Sequence, residues 1–270
     1  MLEKYYETNL KRWNELVAIH ASSEEYNLEG FLNGDTSLHT LEIEALGDVD
    51  EKSLLHLQCH FGLDTLSWAR LGAQVTGVDF SDTAIELARK LVIKTGLEAE
   101  FLCCNIYDLP QRLDRQFDIV YTSYGVLCWL HDMETWAQIV ARFLKPQGIF
   151  FLVEFHPFMW VFDDEHPSEL KIIESYWHSE EPNYYDADGS YAATNAKLEN
   201  KGDYEWAHPL SMVINSLIKA GLTIIEFNEY PFSVNSQQLA FMETGEDGYA
   251  RLPDYDLPLM YSIKALKQKL

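Results

Sequence analysis

HLQCHFGLDTLSWARLGAQVTGVDFSDTAIELARK, residues 56–90, reads as strand, tight loop, helix, strand, acid, helix. The first strand starts at Ser53 and runs to Cys59. Leu63 to Leu71 has helical spacing and ends at Gly72, and Ala73 to Asp79 is a second apolar strand. Ser81 stands where it can cap the helix Asp82–Lys94. In such a unit the loop after the first strand lies at the carboxyl edge of the sheet, where ligands bind. Backbone N–H groups there can face a polar ligand. Asp79 ends the second strand and points into the same crevice, where a carboxylate can accept both hydroxyls of a ribose. The pattern therefore points to an adenosine-containing ligand. A dinucleotide loop wants G-x-G-x-x-G to seat a pyrophosphate on the helix N-terminus. In Gln58-Cys59-His60-Phe61-Gly62 only Gly62 remains, which suits a ligand with no phosphate.

The alternation continues outward from this block. Strands are expected at Glu100–Cys104, Phe117–Thr122 and Ile149–Phe155, with a helix over Asp132–Leu144 stopped by Lys145-Pro146-Gln147-Gly148. A helix at Pro209–Ala220, a strand at Leu222–Tyr230 and a last strand at Leu259–Leu266 follow. Strands alternating with helices argue for parallel βαβ units with right-handed crossovers, and the apolar strand runs fit a sheet covered on both faces. Upstream, residues 2–20 read as a helix with Leu2, Tyr5, Tyr6, Leu10, Trp13 and Val17 at helical spacing. Asn27–Ser37 reads as a loop and Leu38–Leu46 as a short helix. Residues 156–208 break the rhythm: they are rich in Trp, Tyr, Asp, Glu, Pro and Asn without a period. A structureless loop of that length is rare in a compact domain, so the stretch reads as an inserted lid subdomain. The expected organisation is an N-terminal helical cap over 1–50 and an α/β domain over 51–270 with the insert at 156–208.

Twenty basic residues against 43 acidic ones give a formal charge of −23. A field of that sign repels phosphate backbones and anionic membrane surfaces, so nucleic acid and membranes are not expected partners. It suits solubility, and also a cationic ligand. Cys59, Cys103, Cys104 and Cys128 form no C-x-x-C pair and sit in apolar runs, so they read as buried core thiols in a reducing cytoplasm. The N-terminus has no apolar signal core, and no apolar stretch approaches the roughly 20 residues that span a bilayer.

The block from Ser53 to about His156, resuming at His208–Glu229, resembles class I S-adenosylmethionine-dependent methyltransferases of the type 11 or 12 group. The phrases LGAQVTGVDFSDTAIELAR, FDIVYTSYGVLCWL and ARFLKPQGIFFLVEFHP carry the likeness. The resemblance implies a Rossmann-like fold: a mostly parallel seven-stranded sheet with an antiparallel last strand, helices on both faces, and S-adenosylmethionine as cofactor. It places the methionine part of the cofactor against Gln58, His60 and Gly62, the ribose on Asp79 with Phe80 beside it, and the adenine near Asn105 and Ile106. Ser123, Tyr124 and Gly125 would face the methyl donor. The chain departs from the family at His56, where an acid is common, at Gln58 and His60, where glycines are common, and at Asn105, where an aspartate is common.

The implied reaction is in-line methyl transfer to O or N of a small molecule or short peptide. The sulfonium activates the methyl, so the protein has to align donor and acceptor and leave the acceptor lone pair free. Glu154 and His156 leave the fifth strand two residues apart and can point the same way. Two roles are open for them: a general base for an acceptor hydroxyl, or, for Glu154, binding a backbone or substrate amine and, for His156, capping a turn before Pro157. Tyr124 either orients the acceptor or walls its pocket. Trp13 either closes over the cofactor or packs in the core. His56 and His60 lack a third nearby ligand and read as hydrogen-bonded groups with no metal. A non-catalytic cofactor-binding module and a nucleotide-dependent oxidoreductase are the competing readings of the same block.

Overall fold

The computed structural model describes residues 2–269. Three helices, α1 (Leu2–Ala21), α2 (Leu28–Leu32) and α3 (Thr40–Leu46), precede the sheet. The alternating part is β1 (Ser53–Leu57), α4 (Leu63–Arg70), β2 (Gln74–Asp79), α5 (Asp82–Thr95), β3 (Ala99–Cys103), α6 (Leu109–Arg112), β4 (Phe117–Ser123), α7 (Met133–Phe143) and β5 (Leu144–Phe155). The hairpin β6 (Asn183–Asp186) and β7 (Gly202–Glu205) comes next, then α8 (Leu210–Lys219), β8 (Leu222–Tyr230), the short pair β9 (Glu243–Thr244) and β10 (Ala250–Arg251), and β11 (Met260–Lys267).

The seven-stranded sheet runs β3-β2-β1-β4-β5-β11-β8. β11 is antiparallel to both β5 and β8, and the other pairs are parallel. The strand order reverses between β1 and β4, so the loops leaving their carboxyl ends part and open a crevice. Both faces are covered, as the apolar runs require. Leu55, Leu57, Val120, Phe150, Leu152 and Ile263 pack with the apolar stripes of α7 and α8. Leu54, Val75, Tyr121, Phe151 and Val153 pack on the other face with Trp68 of α4 and Leu46 of α3. Ser81 caps α5 by accepting from the Ala84 amide at 3.0 Å.

Several segments differ from the sequence reading. The 27–37 loop contains α2, whose Phe31 buries itself against α4 and α5 residues. β5 begins at Leu144, through the Lys145-Pro146 turn signal, because a register shift opposite Phe117–Ile119 absorbs it. Cys103 is exposed on the edge strand, whereas Cys59 is buried. The insert carries a 3-10 turn at Pro157–Val161 and the β6–β7 hairpin, but not a core of its own. Met159, Val161 and Phe162 share a cluster with Leu239, Leu252 and Leu259, so residues 231–259 form a second excursion that completes it.

α1 keeps the expected face only in part: Val17 is buried, Tyr5, Tyr6, Leu10 and Trp13 are half-buried and Leu2 is exposed, while the polar Asn9, Arg12 and His20 are buried beside Leu16. The cause is its partner, a polar hairpin edge. Asn9 donates to the Tyr204 carbonyl at 2.9 Å and accepts from the Tyr204 amide at 2.8 Å, taking the place of a neighbouring strand. Arg12 pairs with Asp203 at 2.9 Å and donates to the carbonyl of Ala187. On its other side, α1 holds the sheet domain through Asn14, which accepts from Ser81 Oγ and donates to Asp82.

Gly77 in β2 admits a close approach. A Cβ there would lie 2.6 Å from the Phe101 ring and 2.8 Å from Cys59 Sγ. Gly77→Ala is expected to cost about 1–3 kcal/mol of stability by overpacking, and Phe101→Leu in the same chain should recover part of that loss. Denaturant unfolding checks it; strictly additive losses in the double variant would contradict the packing account.

Candidate active site

The loop after β1 is held in an unusual backbone. Gln58, His60 and Gly62 have φ of 57°, 51° and 81°. Only Gly62 adopts this without steric cost; the other two spend on the order of 1 kcal/mol each. Neighbouring groups over-determine the shape. The Cys59 amide donates to the Val78 carbonyl at 2.9 Å, the His60 amide to Asp79 Oδ2 at 2.8 Å, and the Gly62 amide to the Cys59 carbonyl at 2.9 Å. Gln58 Nε2 donates to the Val126 carbonyl at 2.9 Å, tying this loop to the one after β4, while its Oε1 is buried without a partner. With those three amides turned inward, the loop is poor at cradling a pyrophosphate.

Asp79 is buried at the end of β2 and accepts from the Ser81 amide as well as from His60. Burial pushes its pKa up to about 6, against the pull of those amides. Phe80 beside it is half-buried. Asn105 follows β3 and caps the 3-10 turn Ile106–Asp108 by accepting from the Tyr107 amide at 3.0 Å, and Ile106 is buried. Tyr6 of α1 crosses to this side, its hydroxyl 2.5 Å from His131 Nδ1. Trp13 stands over the β1 loop, its ring centroid 5.3 Å from those of His60 and Trp129. His60 also meets His20 of α1, whose other nitrogen reaches Ser190 of the insert at 3.1 Å.

At the end of β4, Ser123 Oγ donates to Asp64 Oδ2 at 3.2 Å and lies 3.4 Å from His56 Nε2. His56 also shares a 2.8 Å hydrogen bond with Thr65, and burial drives its pKa down to about 3. The imidazole at the usual acid position is therefore neutral. Tyr124 has φ 42°, and its buried hydroxyl has no hydrogen-bond partner. Its ring lies against His39 and Phe155, which is the wall role.

Glu154 and His156 occupy the second of their two open roles. The Glu154 carboxylate accepts from the backbone amides of Gly125, Val126, Leu127 and Phe155. It anchors the loop after β4. His156 Nδ1 accepts from the Phe158 amide at 3.2 Å, capping the turn, and Nε2 meets Glu229 at 3.1 Å. These contacts occupy the lone pairs that a general base needs, so the geometry replaces a base pair at the end of β5 with an anchor and a cap. Trp13 thus meets His60, His60 and Gly62 share the loop that Asp79 fixes, and Gln58 ties that loop to the one after β4, which Glu154 anchors, while His156 caps the turn after β5. Sequence reasoning missed Asp64, Glu42 and His208. Asp64 and Glu42 stand on helices as ordinary surface-type acids, and no local pattern marks Glu42 as buried or either as a partner of β4.

Residues 55–152 match the family profile described as a methyltransferase domain. Over this stretch the chain is similar to methyltransferase domains. A ubiquinone biosynthesis O-methyltransferase from Idiomarina loihiensis is 31% identical over 122 residues, 42% of this chain and 50% of that protein. An uncharacterized methyltransferase from Synechocystis is 36% identical over 138 residues, 48% of this chain and 60% of that one. The chain spans about half the length of the curated relatives it matches. Among solved structures, an S-adenosylmethionine-dependent methyltransferase from Mesorhizobium loti has a TM-score of 0.58 at 18% identity, covering 87% of this chain and 99% of that one. Another from Clostridium acetobutylicum has a TM-score of 0.58 at 12% identity, covering 93% and 95%. Both share the fold over most of this chain.

Glu42 of α3 is fully buried, accepts from the Tyr121 hydroxyl at 3.4 Å, and has Oε2 unpartnered. Burial, then the Asp64 charge, pushes its pKa up to about 8. The folded state keeps this proton where the unfolded chain has lost it, so stability falls as pH rises from the ordinary 4.5 towards 8. Glu42→Gln should flatten the pH dependence of unfolding in that window by up to about 1.4 kcal/mol per pH unit. An unchanged slope would show that Glu42 titrates normally.

Proposed function

We propose that the protein transfers a methyl group from S-adenosylmethionine to O or N of a small molecule or short peptide. The observation that carries this reading is Asp79, a buried carboxylate at the end of β2 that fixes the left-handed β1 loop through the His60 amide. A second lone pair on each carboxylate oxygen is available to ribose hydroxyls. The loop, with its amides turned inward, suits a tail without phosphate, and the buried, unpartnered Gln58 Oε1 is an acceptor for that tail's ammonium. Asn105 and Ile106 stand where the adenine would lie, and Trp13 and Tyr6 would cover it from α1. When bound, the cofactor supplies an activated methyl on a sulfonium. The chain has to hold the acceptor in line and keep water out.

The acceptor would enter between the loop after β4 and the insert, where Gly125, Phe155, Trp160, Trp206, His208 and Tyr261 line a narrow hollow that has to open to admit it. Its walls are aromatic, fitting a small, flat or cationic acceptor rather than a polymer. His208 donates from Nε2 to the Leu130 carbonyl at 2.7 Å, and its buried Nδ1 has no partner. Burial lowers its pKa to about 4, which keeps it neutral. Its Nδ1 lone pair, buried and unpartnered, would take an acceptor proton once the hollow opens. The negative field of the whole chain disfavours nucleic acid, and no helix among the described residues is long and apolar enough to cross a membrane. α1 and the 156–208 insert, joined through Asn9, Arg12 and His20, act as the lid.

Calorimetry with S-adenosylhomocysteine should show binding, and Asp79→Ala should weaken it by about 1–3 kcal/mol. Amide exchange in α1 and in β6–β7 should slow on binding. Undiminished affinity in the variant would remove Asp79 from the site, and protection confined to the loops around Gly62, Asp79 and Asn105 would remove the lid.

A further inference from the structure

Asp64 is a carboxylate without a counter-ion. It stands in the first turn of α4, directly after the loop that turns on Gly62. Its side-chain partners are two hydroxyls: Ser37 Oγ donates to Oδ1 at 2.7 Å and Ser123 Oγ to Oδ2 at 3.2 Å. It forms no ion pair among the described residues, yet it is partly exposed while burial raises its pKa. A carboxyl group hemmed in on most sides but still open to solvent lies in a crevice. Tyr26 and Tyr191 on the lid side, and Glu42 and Tyr124 on the β4 side, are close enough for its charge to raise their pKa values. A second observation marks the loop that precedes α4 as short of donors: Gln58 Oε1 is buried and unpartnered. Asp64 thus carries a negative charge beside this loop, with no cation among the described residues to balance it.

His56 explains why a cation belongs here. The end of β1 carries a neutral imidazole, with its pKa driven to about 3, rather than an acid. Ser123 Oγ touches both His56 Nε2 and Asp64 Oδ2, so Asp64 is one hydroxyl away from the vacated charge. We propose that Asp64 holds the α-ammonium group of the amino-acid tail of S-adenosylmethionine, supplying the negative charge that β1 lacks at His56. The assignment rests on the proposed function. The ammonium donates to Asp64 and to Gln58 Oε1, and Ser37 and Ser123 keep the Asp64 carboxylate turned towards it. A buried carboxylate gains from such a partner more than an exposed one, because solvent screens the pair less.

The test compares ligands that share the adenosine and differ in the tail. S-adenosylhomocysteine has the ammonium, its deaminated analogue keeps the carboxylate alone, and 5′-methylthioadenosine lacks both. In calorimetry, Asp64→Asn should weaken S-adenosylhomocysteine by about 10- to 100-fold and leave 5′-methylthioadenosine within about twofold. The unaltered protein should prefer S-adenosylhomocysteine over the deaminated analogue by a similar factor, a measurement that stands even when the variant does not fold. Equal losses for both ligands in Asp64→Asn would make Asp64 a structural residue and overturn the proposal. So would an unaltered protein indifferent to the amino group. Failure of the unaltered protein to bind any of the three would instead overturn the cofactor reading on which the proposal stands.

Discussion

The hydrogen bond from the His60 amide to Asp79 is the contact on which the rest depends. It joins the loop after β1 to the end of the neighbouring β2 at 2.8 Å, beside the β1–β4 point where the strand order turns. That bond, with the Cys59 and Gly62 amides also turned inward, fixes Gln58 and His60 in left-handed backbone where glycine would be easier. Strain of this kind persists only where surrounding contacts over-determine it, and it concentrates at functional sites. Once the loop is set, the Gln58 side chain reaches Val126, and the loop after β4 is held from two sides, by Gln58 and by Glu154. The crevice between the two loops is therefore rigid at its floor.

The proposed roof is held differently. Beside Tyr5 packing on Tyr204 and Trp206, α1 and the insert meet through polar groups: Asn9 on the Tyr204 backbone, Arg12 on Asp203, and Glu15 on the amides of Glu199 and Asn200. Such contacts exchange with water at small net cost, whereas the sheet faces are closed by full apolar stripes from α7, α8 and α4. A roof tied by hydrogen bonds over a floor fixed by packing is the division a closing site needs. His20 links the two, touching His60 on the floor and Ser190 on the roof.

The sheet was legible because its strands are buried on both faces and its helices amphipathic, so each element announced itself by period. Asp79 and the loop were legible for the same reason: they sit at fixed offsets from a strand end. Glu154 and His156 were placed on the right strand and edge, but their partners are backbone amides of another loop and a turn, which no spacing in the sequence encodes. α1 was recognised as a helix, yet the burial of its polar Asn9, Arg12 and His20 was not, because part of what covers them is a hairpin nearly two hundred residues away (Asn9 with Tyr204, for example). The excursion at 231–259 left no periodic signal, since it contributes single residues such as Leu239 and Leu252 to a cluster shared with the insert. Asp64 and His208 escaped for a similar reason: their significance is a missing partner, visible only in space.

A crystal structure with S-adenosylhomocysteine tests the central claim most directly. The account predicts both ribose hydroxyls within hydrogen-bonding distance of Asp79, the amino-acid tail against Gln58–Gly62, and the His60 amide still bound to Asp79. A ligand seated with its ribose away from Asp79, or a loop that leaves the left-handed conformation at Gln58 and His60 to receive it, would contradict the account.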